Sequence, residues 1–121
     1  MANTFKVVTF AAEPASAGTP YVMYTVASST TTVVLGLVLS NINTTAVTAA
    51  VELVSTPSSR GGVNNVANGT SFLIKDVNIP TGSSLEILSG GKVVLEAGDK
   101  IQIDCSVADK LSGTLSIMEI T

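Results

Sequence analysis

The chain has 121 residues, enough for one domain with a sizeable core, and 45% of them are hydrophobic while only 12% are charged. With no His and a single Cys, it lacks the residues for a His-based catalytic triad, a His-ligated metal site or an internal disulfide. Its net charge of −3 offers no basic patch to nucleic acid, and its apolar composition excludes a disordered chain. So little charge also leaves little repulsion between copies, which suits a subunit of an assembly as well as a soluble β domain with a Thr-rich exterior.

Apolar and polar residues alternate along most of the chain, which predicts strands because successive side chains of a strand point to opposite faces. The predicted strands, in chain order, span residues 4–10, 21–27, 31–42, 45–53, 71–79, 84–88, 92–96, 100–107 and 111–117. We expect turns at residues 17–20, 89–91 and 97–99, where glycine tolerates a positive φ, and a short hairpin connection at 41–44. No stretch has the period of a helix.

The strand at 100–107 shows the alternation most clearly. Ile101, Ile103, Cys105 and Val107 share one side, and polar residues share the other. Such a strand has one face buried and one face in water. We therefore expect Cys105 to be a buried structural thiol and not a nucleophile.

The strand at 31–42 has no polar side, because apolar residues fill both sides of it around Val34 and Val38. A strand of this kind is covered on both faces within its own chain, or it is a central strand whose second face meets another chain. Both interpretations stay open. The second makes Val34 and Val38 candidate contact residues.

The fifth predicted strand changes the parity of its apolar side near Asp76. Phe72 and Ile74 define the inward side before this point, and Val77 and Ile79 define it afterwards. A bulge of one residue switches the inward side in this way, so we predict a β-bulge at Asp76.

Many short strands at regular spacing, with a turn signal between each pair, are typical of a sandwich or small barrel. We predict an all-β fold, an antiparallel β-sandwich of jelly-roll type with eight or nine strands, in a single domain that spans residues 1–121. Residues 1–12 form part of that domain as an N-terminal arm or an edge strand. The long loop at residues 56–69 is either a contact loop or a floppy connection, since long loops are usually functional or mobile.

Candidate catalytic and ligand-binding residues are few. Without a His, no base is available in the usual form to activate a Ser or the Cys, and we expect no enzymatic activity. Glu96 and Asp99 are close in sequence, but they flank a turn in which Asp and Gly serve the backbone geometry. The acidic spacing fits no calcium loop, and Tyr21 and Tyr24 fall on opposite sides of their strand and form no sugar-stacking row. We expect neither a cofactor nor a metal.

Targeting segments are not visible in the sequence. The N-terminal residues contain no basic segment followed by a long apolar run, so we expect no secretory signal. The longest apolar run, 33–39, is far shorter than the roughly 20 residues of a membrane helix. We expect synthesis in a cytosol and no membrane partner.

Several segments occur in an order that points to a family. The chain opens with MANTFK and ends with LSIMEIT, and between them lie YTVA at 24–27, TTVVLGL at 31–37, LIKDV at 73–77, IPTGSSL at 79–85 and GKVVLEAGDKI at 91–101. In this order the segments resemble the small virion structural proteins of tailed bacteriophages, including cyanophages. The stretch 55–69 is longer than in typical members, so its contacts do not carry over. The resemblance implies a non-enzymatic component of a virus particle.

We therefore expect a capsid decoration (cement) protein that sits on the outer shell where capsid subunits meet and stabilises it against internal DNA pressure. Its expected partners are copies of itself, as a homotrimer, and the major capsid protein or other virion proteins, with no nucleic acid and no membrane. The expected interface residues are Phe5, Val34, Val38, Arg60, Asn64 and Asn65. The alternatives are a tail, baseplate or fibre component, and a carbohydrate-binding module for host attachment with a concave aromatic site.

Overall fold

The computed structural model describes residues 2–55, 69–88 and 92–121. In these ranges the chain forms nine β-strands and no helix, so the predicted all-β fold is confirmed. The strands, in chain order, are β1 (Asn3–Glu13), β2 (Tyr21–Thr25), β3 (Thr31–Asn41), β4 (Val47–Ser55), β5 (Gly69–Ile79), β6 (Ser84–Ile87), β7 (Val93–Leu95), β8 (Lys100–Cys105) and β9 (Leu111–Ile120). The described ranges accordingly contain no helix with the length and hydropathy to cross a membrane.

The strands form two antiparallel sheets in a sandwich-like arrangement. The first sheet has the strand order β1-β9-β3-β6, and β7 also pairs with β3; the second sheet has the order β2-β8-β4-β5. Since β6 and β7 pair with successive parts of β3, they lie end to end along its edge. The turn predicted between them, at 89–91, lies outside the described residues.

The core lies between the two sheets and consists of the inward residues of the alternating strands. Fully buried side chains come from both sheets and include Val34, Leu37, Leu39, Val51, Ile101, Ile103, Leu115 and Ile117. Burying a Val, Leu or Ile side chain stabilises a fold by about 1.5–3 kcal/mol, so these residues dominate the packing energy. Cys105 is 4% exposed among them and forms no disulfide, which confirms the predicted buried thiol.

The link between β3 and β4 carries the chain from the first sheet to the second. The hairpin predicted at 41–44 is wrong, because β3 and β4 belong to different sheets. Buried Asn41 fixes the crossing: its Nδ2 donates to the carbonyl oxygens of Thr45 and Ile79 at 3.0 and 2.9 Å, and its Oδ1 accepts from the backbone N–H of Asn43 at 2.7 Å. A buried amide is tolerated in a core when its N–H and C=O groups all have hydrogen-bond partners, and these bonds fix the course of the backbone at this point.

Two predicted glycine turns are confirmed, and both also carry the chain between sheets. Gly18, between β1 and β2, has a φ of 83°, and Gly98, between β7 and β8, has a φ of 89°. In the second turn Asp99 Oδ2 accepts from the Glu96 backbone N–H at 3.0 Å. These two acidic residues therefore belong to a turn, as the sequence indicated.

The bulge predicted at Asp76 is confirmed. Ala49 pairs with Val77, but Val51 pairs with Ile74, which leaves one extra residue on β5 between the two pairs. Asp76 adopts a φ of 51°, in the left-handed region that a bulged residue can occupy. The extra residue returns Val77 to the inward side.

A second register shift in β5 reverses the predicted side of Phe72. Val51 pairs with Ile74, yet the next residue of β4, Glu52, pairs with Phe72. Phe72 therefore lies on the outer side with Glu52 and is 47% exposed. The prediction that Phe72 faces inward is wrong, because the alternation restarts at this second irregularity.

An irregularity in β2 places both of its tyrosines on the inner side. The register shifts between Val22 and Tyr24, and Tyr21 and Tyr24 are both half-buried against the core. The ring of Tyr21 lies edge-on to Phe10, with the centroids 5.5 Å apart. The predicted placement of the two tyrosines on opposite sides is wrong, because the strand holds an extra residue between them.

Candidate functional site

The outer side of the first sheet carries apolar residues where an antiparallel sheet usually faces water. We call this surface the apolar face, and its apolar members are Phe5, Val7, Val33, Leu35, Val38, Val94, Met118 and Ile120. Phe5 is 71% exposed, Val7 64% and Val94 58%. An antiparallel sheet normally alternates apolar residues towards the core with polar residues towards solvent, so a sheet that is apolar on both sides has a surface left to cover.

One row of apolar side chains crosses the whole apolar face. Phe5 on β1 pairs with Met118 on β9, Met118 pairs with Val33 on β3, and Val33 pairs with Val94 on β7. Residues paired across antiparallel strands have Cβ atoms about 4.5–5.5 Å apart, so neighbours in this row are in contact range. The row forms a continuous apolar ridge from one edge of the sheet to the other.

A shallow groove lies beside this row, where β3 contains a bulge. Val34 pairs with Ile117 and Gly36 with Ser116, so Leu35 is an extra residue and emerges on the apolar face with 36% exposure. The groove has a volume of about 210 Å³ and is lined in part by Phe5, Val7, Leu35 and Ser116. A Cβ added to Gly36 would meet no atom within 4 Å, so the outward space at this position is open.

The outer side of the second sheet contrasts with the apolar face. Its two central strands present Lys100, Gln102 and Asp104 on β8 and Glu52 on β4. Gln102 Nε2 donates to Glu52 Oε2, and Asp104 Oδ1 accepts from the Gly18 backbone N–H at 3.1 Å. On the first sheet the central strands β3 and β9 carry no charged residue at their outward positions, which the structure describes in full. The two outer surfaces therefore differ in chemistry.

The expected interface residues fall in three different places. Phe5 is exposed on the apolar face, and Val38 is half-buried on the same face. Val34 is 0% exposed and lies in the core, so its expected role as a contact residue is wrong. Val34 points inward opposite Ile117, and the extra residue Leu35 then shifts the alternation by one position. Val38 therefore points outward although it is an even number of residues from Val34. Arg60, Asn64 and Asn65 lie outside the described residues.

Sequence reasoning missed Val7, Leu35 and Val94 as surface residues. Val7 shares its side of β1 with Phe5, opposite the inward Val8 and Phe10, so the alternation of β1 contained the signal. Val94 has polar residues two positions away on both sides, Lys92 and Glu96, so it falls on the side of its strand that the alternation assigns to solvent. Leu35 could not be found in this way, because its position depends on a bulge.

A second cavity of about 210 Å³ opens on the second sheet, and its lining includes Thr48, Asp76, Asp104 and Ser106. Across the described ranges, no group of three or more His, Cys, Asp or Glu side chains is arranged to hold a metal ion. The exposed aromatic rings, Phe5 and Phe72, lie on opposite outer surfaces and do not meet in one concave site.

A polar cluster ties the two sheets together beside the apolar row. We call it the Tyr24 cluster: the Tyr24 hydroxyl lies 2.8 Å from Thr32 Oγ1 and donates to Glu119 Oε2 at 2.6 Å, while Lys6 Nζ lies 2.6 Å from Glu119 Oε1. Burial and the bond to Glu119 raise the pKa of Tyr24 to about 12. The hydrogen bonds from Lys6 and Tyr24 hold the pKa of Glu119 below its usual value. Lys6 on edge strand β1 is half exposed and pairs its charge with Glu119, while the outward positions of that strand, Asn3, Phe5, Val7 and Thr9, carry no charge.

No family model and no curated protein matches the chain. It is similar to one solved structure, a chain of the Bacillus endospore appendages, which form a novel family of disulfide-linked pili. The two share 17% sequence identity, and the similarity covers 99% of this chain and 87% of that chain with a TM-score of 0.46. A likeness this distant carries no argument about function.

Proposed function

We propose that the protein is a virion structural subunit of the capsid decoration (cement) type, which acts by packing against neighbouring subunits and not by catalysis. The observation that carries this proposal is the apolar face, with Phe5, Val7 and Val94 all more than half exposed. Monomeric soluble proteins rarely expose continuous apolar patches, and such patches mark interaction surfaces. Covering this one yields roughly 25 cal/mol per Å² of apolar area before the costs of association are subtracted.

The assignment to a virion is supported by the resemblance of the chain segments to small virion proteins of tailed bacteriophages. Four of those segments build the apolar face: the opening MANTFK contributes Phe5, TTVVLGL contributes Val33 and Leu35, GKVVLEAGDKI contributes Val94, and LSIMEIT contributes Met118. The residues that carry the resemblance are therefore also residues of the proposed contact surface.

A jelly-roll topology is part of the proposal, and the strand pairing supports it. If β6 and β7 count as one interrupted strand, the first four strands each pair with a counterpart in the second half: β1 with β9, β2 with β8, β3 with β6 and β7, and β4 with β5. Jelly rolls have eight strands in two sheets and are common in viral capsid and lectin domains.

In this proposal the subunit binds copies of itself and the major capsid protein or other virion proteins on the outer shell. Many copies bind one shell, so modest contacts add up through multivalency and resist the pressure of the packaged DNA. The expected contact loop at 56–69 lies largely outside the described residues.

The proposal is tested on purified particles of a phage that encodes this chain, by quantitative mass spectrometry and by heating. We expect the chain in a copy number that matches the shell symmetry, and we expect particles without it to release their DNA at a lower temperature than complete particles. Absence of the chain from purified particles would contradict the virion assignment. A copy number of three or six per particle, as in a tail or baseplate, would contradict the placement on the shell.

A further inference from the structure

We propose that the apolar face packs against the apolar face of a second copy, about a twofold axis that runs along the strands. This inference rests on the proposed function, because it names the partner for the surface that carries that function. It replaces the expected threefold arrangement with a pair, since a sheet face that covers its own copy does so by twofold symmetry.

The area of the apolar face is sufficient for a stable pair. Four strand positions at about 4.8 Å spacing and ten residues at about 3.3 Å rise give each face roughly 600 Å². Two faces together bury about 1,200 Å², above the threshold of about 1,000 Å² for a specific protein interface. The pair is a stack of four sheets, and both faces of the two middle sheets are buried.

The distribution of charge permits a second copy as the partner. Each copy has a net charge of only −3, so the repulsion between copies is small, and an uncharged contact surface brings no like charges close together. The central strands of the apolar face provide that surface. A charged partner would instead leave its own charges buried without a counterpart against this face.

The rows of side chains complement themselves under this symmetry. A twofold axis along the strands reverses the order of each row, so Phe5 lies over Val94 of the second copy and Met118 lies over Val33. The largest side chain of the row thus meets one of the smallest, which lets two pleated faces interdigitate at the usual sheet spacing of about 10 Å.

The same symmetry keeps Glu86 on edge strand β6 away from Glu86 of the second copy. Thr9, Thr114, Val38 and Glu86 form a second row across the sheet. When it is reversed, Glu86 lies over Thr9 of the second copy, a hydroxyl at the solvent-accessible rim, and not over the other Glu86. The centre of the face is uncharged and mainly apolar, with Thr114 and Ser116 as its polar members, and a polar rim around such a centre is the usual anatomy of a protein interface.

Gly36 offers a variant that blocks the pair without disturbing the fold. It lies on the outward side of central strand β3, its φ is not positive, and a side chain there would enter open space. Gly36→Glu therefore places a charge in the middle of the proposed interface. Phe5→Asp does the same at the end of the apolar row, and Phe72→Asp is the matched control, because Phe72 is exposed on the outer side of the second sheet.

The experiment is sedimentation velocity of the purified full chain over a hundredfold range of concentration, with circular dichroism and thermal unfolding of each variant. We expect the wild type at about twice 12.3 kDa. We expect the dissociation constant of the pair to rise at least about tenfold in Gly36→Glu and Phe5→Asp, with the dichroism spectrum unchanged, and to stay as in the wild type in Phe72→Asp. A wild type that is monomeric or threefold, or a Gly36→Glu variant that pairs normally, would overturn the inference.

The two proposals fail in different ways. Monomers that nevertheless bind purified shells would overturn the pair and support the decoration function. Pairs that form through the apolar face, in a chain absent from purified particles, would support the pair and overturn the decoration function.

Discussion

Individual side chains link the two sheets through hydrogen bonds, and Tyr24 is one of them. It is the residue of the second sheet that reaches Thr32 and Glu119 of the first. The bonds are partly buried, and hydrogen bonds to a charged group contribute more than neutral ones. The Tyr24 cluster therefore acts as a link between the sheets and makes the stability of the fold depend on pH.

At acid pH the link should weaken through Glu119. Its pKa in the folded chain is below the ordinary 4.5, so its contribution to the free energy of unfolding is full above about pH 4.5 and is lost as the pH falls through the lower folded-state value. Glu119→Gln should remove this acid dependence, whereas Glu86→Gln, at an exposed edge position, should retain it. Urea unfolding at a series of pH values measures both, and an unchanged acid limb in Glu119→Gln would contradict the role of the cluster.

At alkaline pH the link should weaken through Tyr24. Burial raises its pKa from 10.0 to about 12, so its contribution to stability is full below about pH 10 and is lost as the pH rises towards 12. Tyr24→Phe should remove this alkaline loss and cost about 1–2 kcal/mol at neutral pH, because Thr32 and Glu119 lose a partner. Tyr21→Phe is the control, since the ring of Tyr21 is held by packing on Phe10. Equal alkaline limbs in Tyr24→Phe and wild type would argue against this assignment.

The third prediction for a single residue concerns Gly113. It is buried on the inner side of β9, and a Cβ there would clash with Cε2 of the Phe10 ring. Gly113→Ala should therefore cost about 1–3 kcal/mol by overpacking. Thermal unfolding of Gly113→Ala with and without Phe10→Leu checks this: the smaller side chain should recover part of the loss. If the losses of stability caused by Gly113→Ala and by Phe10→Leu simply add in the double variant, the two side chains do not clash and the prediction is wrong.

Among the elements, the alternation of apolar and polar residues predicted the strands but not the sides of all residues. It located β8 and most of β9 correctly because apolar and polar residues alternate without a break from Lys100 to Cys105 and from Leu111 to Ile117, whereas it missed residues 118–120 of β9, where the apolar side chains point outward. It failed for Val34, Phe72 and the β2 tyrosines because extra residues in β3, β5 and β2 reset the sides. The bulge at Asp76 was predictable because apolar residues flank it on both sides and reveal the switch. The irregularity beside Phe72 has no such signal.

The pairing of the strands was also beyond the sequence pattern. The segment at 41–44 has the polar residues of a hairpin turn, yet the amide of Asn41 holds it to Ile79 and directs β4 into the other sheet. For the same reason the apolar face could not be predicted as one surface. Phe5, Val33, Val94 and Met118 are far apart in sequence, and only the order of the strands brings them into one row.

For two valines of strand β3 that lie four residues apart, we expect different effects of the same substitution. Val34 is fully buried, so Val34→Asp should prevent folding, because an unpaired charge in the core costs more than about 4 kcal/mol. Val38 is half-buried on the apolar face, so Val38→Asp should fold and lose self-association. Val54→Asp, on the outer side of the second sheet, is the matched control that should fold and associate. Circular dichroism and sedimentation separate these outcomes, and a folded Val34→Asp variant would contradict the described register of β3.

At the scale of the whole molecule, the sandwich has one outer surface suited to water and one suited to protein. The second sheet presents Glu52, Lys100 and Asp104, and the first presents the apolar face. In the proposed assembly the apolar face would be covered by protein while the charged side of the second sheet stays in water. The long edge strand β1 carries residues of both kinds: Lys6 forms an ion pair with Glu119, and Phe5 is exposed on the apolar face.

The most direct test of the claim that this chain functions by packing is cryo-electron microscopy of an intact particle that contains it. The account predicts density for the β-sandwich on the outer shell, with Phe5, Val7 and Val94 covered by protein and the charged side of the second sheet towards solvent. A map in which the sandwich lies elsewhere in the particle, or in which the apolar face is open to solvent, would contradict it.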